Sequence, residues 1–565
     1  MRKLVESLLH RSRLAREDGV TMLLALGTMV VTAGLIVAAF TSSQGEIRLT
    51  SRDTASKKAY YAAEAGISDY TYHLTQDSNY LTYCTTPSPA NPALNQVTEG
   101  TTHRAVVPAV EEHGELVPSH EEYALDLIPA ESAPAIYKTE CNRSHLVESM
   151  IEQTGAAAGT FRIKSTGFSE GVSRTIIATF RNADFVSFVW YDEFETGDPA
   201  LYSAPPKEPE KYAVCGQVWG VRPGICNPLN NYFINGESVN GPMHTEDHVG
   251  ICGSPVFGRT VTDRIEFRHA VGGDSGYSGE EACGGLGTPV FKGTHIPPNE
   301  VPSLKPPPGD EELEHIVEAP YHYHEKTKIV LEGTTMTVTT HWGKTTGPES
   351  EREHTTSGVP FPPGGVIYVS GGCPTPYSPY GPIPAYNADT ACGNLYLSGE
   401  YKESLTIASQ NDIIINGNIT TPVNAEGVPT TTALLGLIAN NFIRLYHPLT
   451  AERPNAFYSC GAAKNSPKDL NEPTIYAAML AIKHSVIIDN FDCGEPNKGH
   501  FNVYGAVAAL FSNGDTGVES AGTLVAGYSY HALYDDRFEA AEPPHFLNPI
   551  QAAWYVQRQT LDPPP

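Results

Sequence analysis

The sequence predicts an α+β molecule: one long N-terminal α-helix followed by a mainly-β body, a parallel β-helix (solenoid). Three observations carry this reading. Residues 46–76 are rich in helix-forming Ala, Glu and Lys, contain no Pro, and have Gly only at Gly66. From Asp184 the chain changes to short β-branched and aromatic runs broken by Asn, Gly and Pro. Within that body a nine-residue pattern recurs, which is the mark of stacked coils.

The helix begins with its apolar half. Residues Gly19 to Phe40 read GVTMLLALGTMVVTAGLIVAAF, with no charge from Val20 onward, and about 20 such residues cross a bilayer core. Arg2, Lys3, Arg11, Arg13 and Arg16 precede the run against Glu6, Glu17 and Asp18. That basic excess places the N-terminus in the cytoplasm and everything after Phe40 outside. A secretory signal peptide would need a shorter apolar core and a better small-residue cleavage site than TAGLIVAAFTSS offers. A plain signal anchor fits the run but gives no role to Arg16-Glu17-Asp18-Gly19. Further on, Ala59, Ala62, Ala63, Gly66, Ile67, Tyr70 and Leu74 recur at steps of three and four, so one small-to-apolar stripe runs down the helix. Continued from residue 20 to 76, such a helix measures about 85 Å at 1.5 Å per residue.

A basic leader, Gly19, and then an uncharged run with Thr at its second position resembles a type IV prepilin, whose leader is cut after the Gly. This resemblance implies processing between Gly19 and Val20, a membrane anchor from Val20 to Phe40, and a pilin-type stem helix to residue 76. The segment Ala59-Tyr60-Tyr61-Ala62-Ala63-Glu64-Ala65-Gly66-Ile67 is similar to the one that follows the anchor in PilX-like minor pilins, which implies stem roles for Ala59, Ala62, Ala63, Glu64 and Gly66. Major pilins carry Glu at the fifth mature residue; here that position is Leu24. A subunit lacking this carboxylate is poorly suited to repeated addition along a fibre and resembles a minor pilin that primes or tips it.

Residues 77–183 read as a small β region. Its first part, 77–155, has weak periodicity and reads as an irregular insertion held by Cys84 and Cys141; Thr160–Arg181 is a hairpin candidate around Gly167 and Gly171. Residues 184–565 form the display domain. There, Ile407–Ile415 superposes on Leu437–Leu445 and Leu480–Ile488, and Met243–Ile251 follows more loosely. Each has an apolar strand end, a polar turn and alternating Val, Ile or Leu. A β-sandwich is the competing arrangement, since four loose matches could be ordinary strands. The resemblance to large β-rich PilX-like proteins extends to Gly241-Pro242-Met243-His244-Thr245-Glu246-Asp247, Tyr534–Phe538, Pro543–Leu547 and Trp554. Residues 296–363 read as a Pro-rich loop followed by hairpin-like strands Thr327–Leu331 and Thr334–His341.

Composition narrows the function classes. Gly 51 and Pro 45 make about 17% of the chain, as many turns between short strands require. The formal charge is −27; the leader's five Arg or Lys and three Asp or Glu carry +2, so its loss leaves −29. A body so acidic disfavours nucleic acid and anionic lipid as partners. Ten cysteines, Cys84, Cys141, Cys215, Cys226, Cys252, Cys283, Cys373, Cys392, Cys460 and Cys493, all follow the anchor and none has C-x-x-C spacing. An even number in an external body reads as disulfides, with sequential pairing one of many connectivities.

No enzymatic motif is present. His244, Glu246 and His248 would share one face of a strand and are the strongest metal candidates, although a polar turn ending a coil explains them more simply; H-E-x-x-H is absent. His322 and His324 also share a strand face, beside Tyr321 and Tyr323, and read foremost as an exposed alternating strand. Asp535 and Asp536 are adjacent and point apart, which argues against a paired-carboxylate glycosidase site and for pairing of Asp to Arg537. The sequence therefore points to no enzyme and no cofactor. It predicts a minor pilin-like subunit with partners in other pilin subunits, prepilin peptidase, the membrane and a surface or glycan ligand. The alternatives are a membrane-anchored β-helix enzyme acting on polysaccharide and a cell-envelope structural protein.

Overall fold

The computed structural model describes the chain apart from residues 1, 77–79, 81–90, 96–99, 113–114, 118, 132, 138–148, 153–159, 183, 200–212, 235, 280–286, 374–389, 451–463, 492, 495–497, 513–516, 521–522, 540, 550–553 and 563–565. In the N-terminal helix, side chains are described for 22–38 and from residue 50 onward. The architecture is α+β: a helix Arg2–Gln76 and then strands in several sheets.

The helix ends where its Ala, Glu and Lys content ends. Its predicted stripe is buried: Ala59, Ala62, Ala63, Ile67, Tyr70 and Leu74 are at most 2% exposed. They face a sheet ordered Leu94–Asn95, Glu122–Ile128, Thr160–Ser169, Val172–Asn182 and Trp554–Asp562. Helix and sheet meet at backbone distance because Gly167 has no side chain. A Cβ there would collide with the Ala59 carbonyl and the Ala63 amide. Beside it, the Ser165 hydroxyl donates to the Ala63 carbonyl at 2.8 Å. The hairpin turn is Glu170-Gly171, both at positive φ (48° and 79°), as a tight two-residue hairpin of right-handed twist requires.

Two sequence boundaries are corrected here. Residues 77–155 include a sheet strand, Glu122–Ile128, instead of being irregular throughout; five of its seven residues are buried, Asp126 among them, so strict alternation was masked. The display domain does not extend to residue 565. Trp554–Asp562 leaves the body and pairs antiparallel with Val172–Asn182, and Trp554 packs edge-on against Phe161 at 4.8 Å. The body is thus inserted between two neighbouring strands of the small sheet.

Within the body, parallel strands stack in one ladder in the order Thr294–Ile296, Arg264–Phe267, Met243–Thr245, Trp190–Phe194, His500–Phe511, Thr474–Ala481, Leu435–Ala439, Leu405–Ser409, Val366–Ser370 and His322–His324. At about 4.8 Å per strand this ladder is about 43 Å long. A second parallel ladder joins Thr327–Gly333, Leu395–Tyr401, Ile413–Thr420, Ile443–Leu445 and Val486–Ile488. One apolar core fills the space between them.

The chain order in the first ladder is unusual. The chain enters in the middle at Trp190–Phe194 and climbs to one end at Thr294–Ile296. Residues 297–321 then run alongside the ladder as a strap, and the chain re-enters at the other end, His322–His324. Later strands work back until His500–Phe511 docks on the entry strand, Ala508 opposite Tyr191 and Phe511 opposite Phe194.

The repeats found in the sequence pair with one another as parallel strands of the two ladders. Ile407 pairs with Leu437 and Ile415 stacks above Leu445 and Ile488. One alignment shifts: Leu437 pairs with Met479, not Leu480, because the third repeat has one more residue in its turn. The hairpin after the strap forms as predicted, Thr327–Gly333 with Thr335–Thr340.

Candidate assembly helix and polar clusters of the body

The most exposed apolar surface lies on the N-terminal helix. Met22, Leu23, Leu24, Leu26, Met29, Val30, Val31, Leu35, Ile36 and Val37 are each 57–76% exposed. Water is a poor solvent for such a run, and the contrast with the buried stripe farther along is sharp. The hydroxyls of Thr28 and Thr32 donate to the helix's own carbonyls, Ala25 at 2.9 Å and Thr28 at 2.7 Å, so they demand no water. The residues expected for processing, Gly19 and Val20, and for the end of an anchor, Phe40, have no described side chains, and among the described residues no helix is long and apolar enough to cross a membrane. Glu64 is half-buried.

Of the cysteines, Cys215 bonds Cys226 and Cys373 bonds Cys392, each to its neighbour in sequence. Cys252 and Cys493 are also disulfide-bonded, while Cys84, Cys141, Cys283 and Cys460 lie outside the described residues.

The strongest metal candidates do not assemble. The strand carrying His244 stops at Thr245, so the shared face expected for 244, 246 and 248 does not persist. His244 is fully buried, with Nδ1 2.7 Å from Glu266 and Nε2 3.1 Å from Glu246. Burial opposes its charge, but hydrogen bonds with the two carboxylates prevail and raise the imidazole above its ordinary value. Burial likewise opposes the charge on Glu246 and Glu266, and His244 holds both below theirs. This ion triad is structural: Glu246 also accepts from the Ser303 hydroxyl and the Leu304 amide, fixing the start of the strap. His248 turns away to Asp274 at 3.0 Å. Among the described residues, no group of three or more His, Cys, Asp or Glu side chains could hold a metal ion.

Two polar clusters were not legible beforehand. Asp310, on the strap, is fully buried; Oδ1 accepts from Tyr368 at 2.9 Å and from Asn440 at 2.7 Å. Its Oδ2 is buried without a hydrogen-bond partner, and burial pushes the carboxyl up to about 7. Arg444 is buried between Asp412 at 2.8 Å and Asp489 at 2.8 Å. Both clusters join residues far apart in sequence, so no local spacing announces them.

His322 and His324 do share a face. Ser370 Oγ lies 2.9 Å from His322 Nε2 and 2.7 Å from His324 Nδ1, and the rings are 4.5 Å apart. At the C-terminal end, Arg537 pairs with Asp535 at 2.6 Å and donates to the carbonyls of Thr431 and Ala433, while Asp536 goes to Arg259 at 2.9 Å. The two aspartates are thereby tied to different partners.

No family model and no curated protein matches the chain. Among solved structures, the competence-associated pilin ComZ from Thermus thermophilus is similar over 90% of this chain and 98% of its own, with 12% identity and a TM-score of 0.25.

Proposed function

We propose that this chain is a minor pilin-like subunit of a type IV pilus or related fibre, of the PilX-like kind, whose body is a parallel β-helix displayed outward for adhesion or binding. The observation that carries the reading is the divided helix. Residues 22–38 leave nearly every apolar side chain exposed, whereas the stripe from Ala59 to Leu74 is buried in the subunit's own sheet. An apolar half needs lipid or the helices of other subunits around it. In this reading Val20–Phe40 anchors the chain in the cytoplasmic membrane with its N-terminus inside, then passes into the fibre, and the acidic body stays outside. Its partners are other pilin subunits, prepilin peptidase, the membrane and a surface or glycan ligand. The successive parallel coils support the β-helix part of the proposal.

The test is the N-terminus of the protein in its own cells, determined by mass spectrometry. A chain beginning at an N-methylated Val20 is expected. A mature chain that keeps residues 1–19 would overturn the pilin reading.

A further inference from the structure

We propose that residues 305–321 of the strap form a proton-operated cover, held on the ladder by an acid–amide pair between protonated Asp310 and Asn440 and loosened when that proton is lost to water. The strap lies over one row of the ladder. Tyr191 and Tyr368 reach it with their hydroxyls, Tyr191 donating to the Leu304 carbonyl and Tyr368 to Asp310 Oδ1. The register places Ala408, Ile438, Leu480 and Ala508 in the same row between them, all buried. Leu304 and Leu313 of the strap are buried in the same core, so lifting the cover opens an apolar strip.

Asp310 and Asn440 are short of one proton. Asn440 Nδ2 donates to Asp310 Oδ1 at 2.7 Å and Tyr368 donates to the same oxygen at 2.9 Å, which uses both of its lone pairs. The other oxygen of each group, Asp310 Oδ2 and Asn440 Oδ1, is buried with no hydrogen-bond partner. Turning the amide over would only set its oxygen against Oδ1. A proton on Oδ2 makes that oxygen a donor to Asn440 Oδ1, so that two antiparallel hydrogen bonds join the groups and neither oxygen is left orphaned.

The surroundings favour that proton. Burial, the largest influence, pushes the carboxyl up to about 7 against the Tyr368 hydrogen bond; Glu311, next to it on the strap, adds to the rise, and Lys483, exposed after Thr474–Ala481, offsets a smaller part. Because the closed strap binds the proton more tightly than the open one, closure is strongest below about pH 4 and weakens up to about pH 7. Both ends stay fixed meanwhile. Against the effect of burial, His244 holds Glu246 below its ordinary value, so Glu246 keeps Ser303 and Leu304, and His322 continues into the ladder. Glu314, 3.7 Å from His322 Nε2, is a second pH-sensitive contact of the strap.

Hydrogen exchange of the full chain in detergent micelles, read by mass spectrometry, tests the cover. After correction for the intrinsic pH dependence of exchange, protection across 305–321 should fall about tenfold or more from about pH 5 to about pH 8, while strands Leu435–Ala439 and Thr474–Ala481 keep theirs. Asp310→Asn, whose amide makes both hydrogen bonds to Asn440 without a titrating proton, should stay protected at both pH values. Glu314→Gln, which removes the contact with His322, should show the wild-type loss. Unchanged protection in wild type would overturn the proposal. So would an equal loss in Asp310→Asn, an abolished loss in Glu314→Gln, or a parallel loss in the two strands, which would mean that the body opens as a whole. Wild type and Glu314→Gln decide the question even if Asp310→Asn fails to fold.

Discussion

Arg444 shows what a single buried side chain can decide. Its guanidinium lies between Asp412 and Asp489, beside different strands of the second ladder, all nearly or fully buried. Removing one partner of such a network leaves charges buried without compensation, which costs about 3–5 kcal/mol. Arg444→Ala should lower stability by that amount in urea titration, whereas Lys402, in an exposed pair with Glu400, should change it by less than about 1 kcal/mol when mutated to Ala. Asp310 gives a pH-dependent counterpart. Its carboxyl is raised from 3.8 to about 7 by burial, so the folded chain holds this proton more tightly than the unfolded one. Its contribution is fully present below about pH 4 and is lost as pH rises through about 7. Asp310→Asn keeps an acceptor for Tyr368 and Asn440 without the charge. It should therefore be more stable than wild type at pH 8, by on the order of 4 kcal/mol, with the gap narrowing as pH falls and closing only below about pH 4 in parallel denaturation curves.

Among the elements, the helix and its sheet depend on Gly167. Gly167→Ala sets a methyl against the backbone of Ala59 and Ala63, which cannot step aside; Gly66→Ala meets the side chains of Ser165, Tyr123 and Leu125, which can. We expect the first to cost about 1–3 kcal/mol and the second less, with protease cleavage of the stem helix rising mainly in Gly167→Ala. The helix, its stripe, the Glu170-Gly171 hairpin and several of the parallel strands were readable because each is a local pattern: a 3.6-residue period, a turn residue, a recurring nonapeptide. The asparagines show the limit. Asn394, Asn411 and Asn441 hydrogen-bond in a row, Asn411 to each of the other two, yet their spacings of 17 and 30 residues depend on loops of unequal length. Strand Glu122–Ile128 and the strap were missed for the same kind of reason, since the burial that defines them comes from distant chain. The candidate sites divided similarly: His322 and His324 kept their strand face, whereas the turn after Thr245 separated His248 from His244.

For the whole molecule, the decisive fact is insertion. The small sheet and the body have separate apolar cores, and Trp554 contributes to the former although it lies hundreds of residues after the strands it joins. Trp554→Ala should destabilise the small sheet by about 3–5 kcal/mol and leave the ladder intact, visible in calorimetry as a shift in one of two transitions. The order of the strands has its own consequence for folding: the strand at Trp190–Phe194 cannot gain its neighbour His500–Phe511 until most of the body exists, a contact of long sequence separation that slows folding.

The paired exit and return also set how the molecule carries tension. Asn182 and Trp554 lie opposite each other in the sheet, so a pull on the body enters two adjoining strands at the same end. Neither is drawn past the other. The load passes sideways into the hydrogen bonds between Val172–Asn182 and Thr160–Ser169, and from there into the stem helix through Gly167. Bonds loaded together in shear yield at higher force than bonds opened one at a time. The body is hung from its stem by a double cord, and cutting the cord at Trp554 should lower the rupture force in optical-tweezer pulling between body and helix.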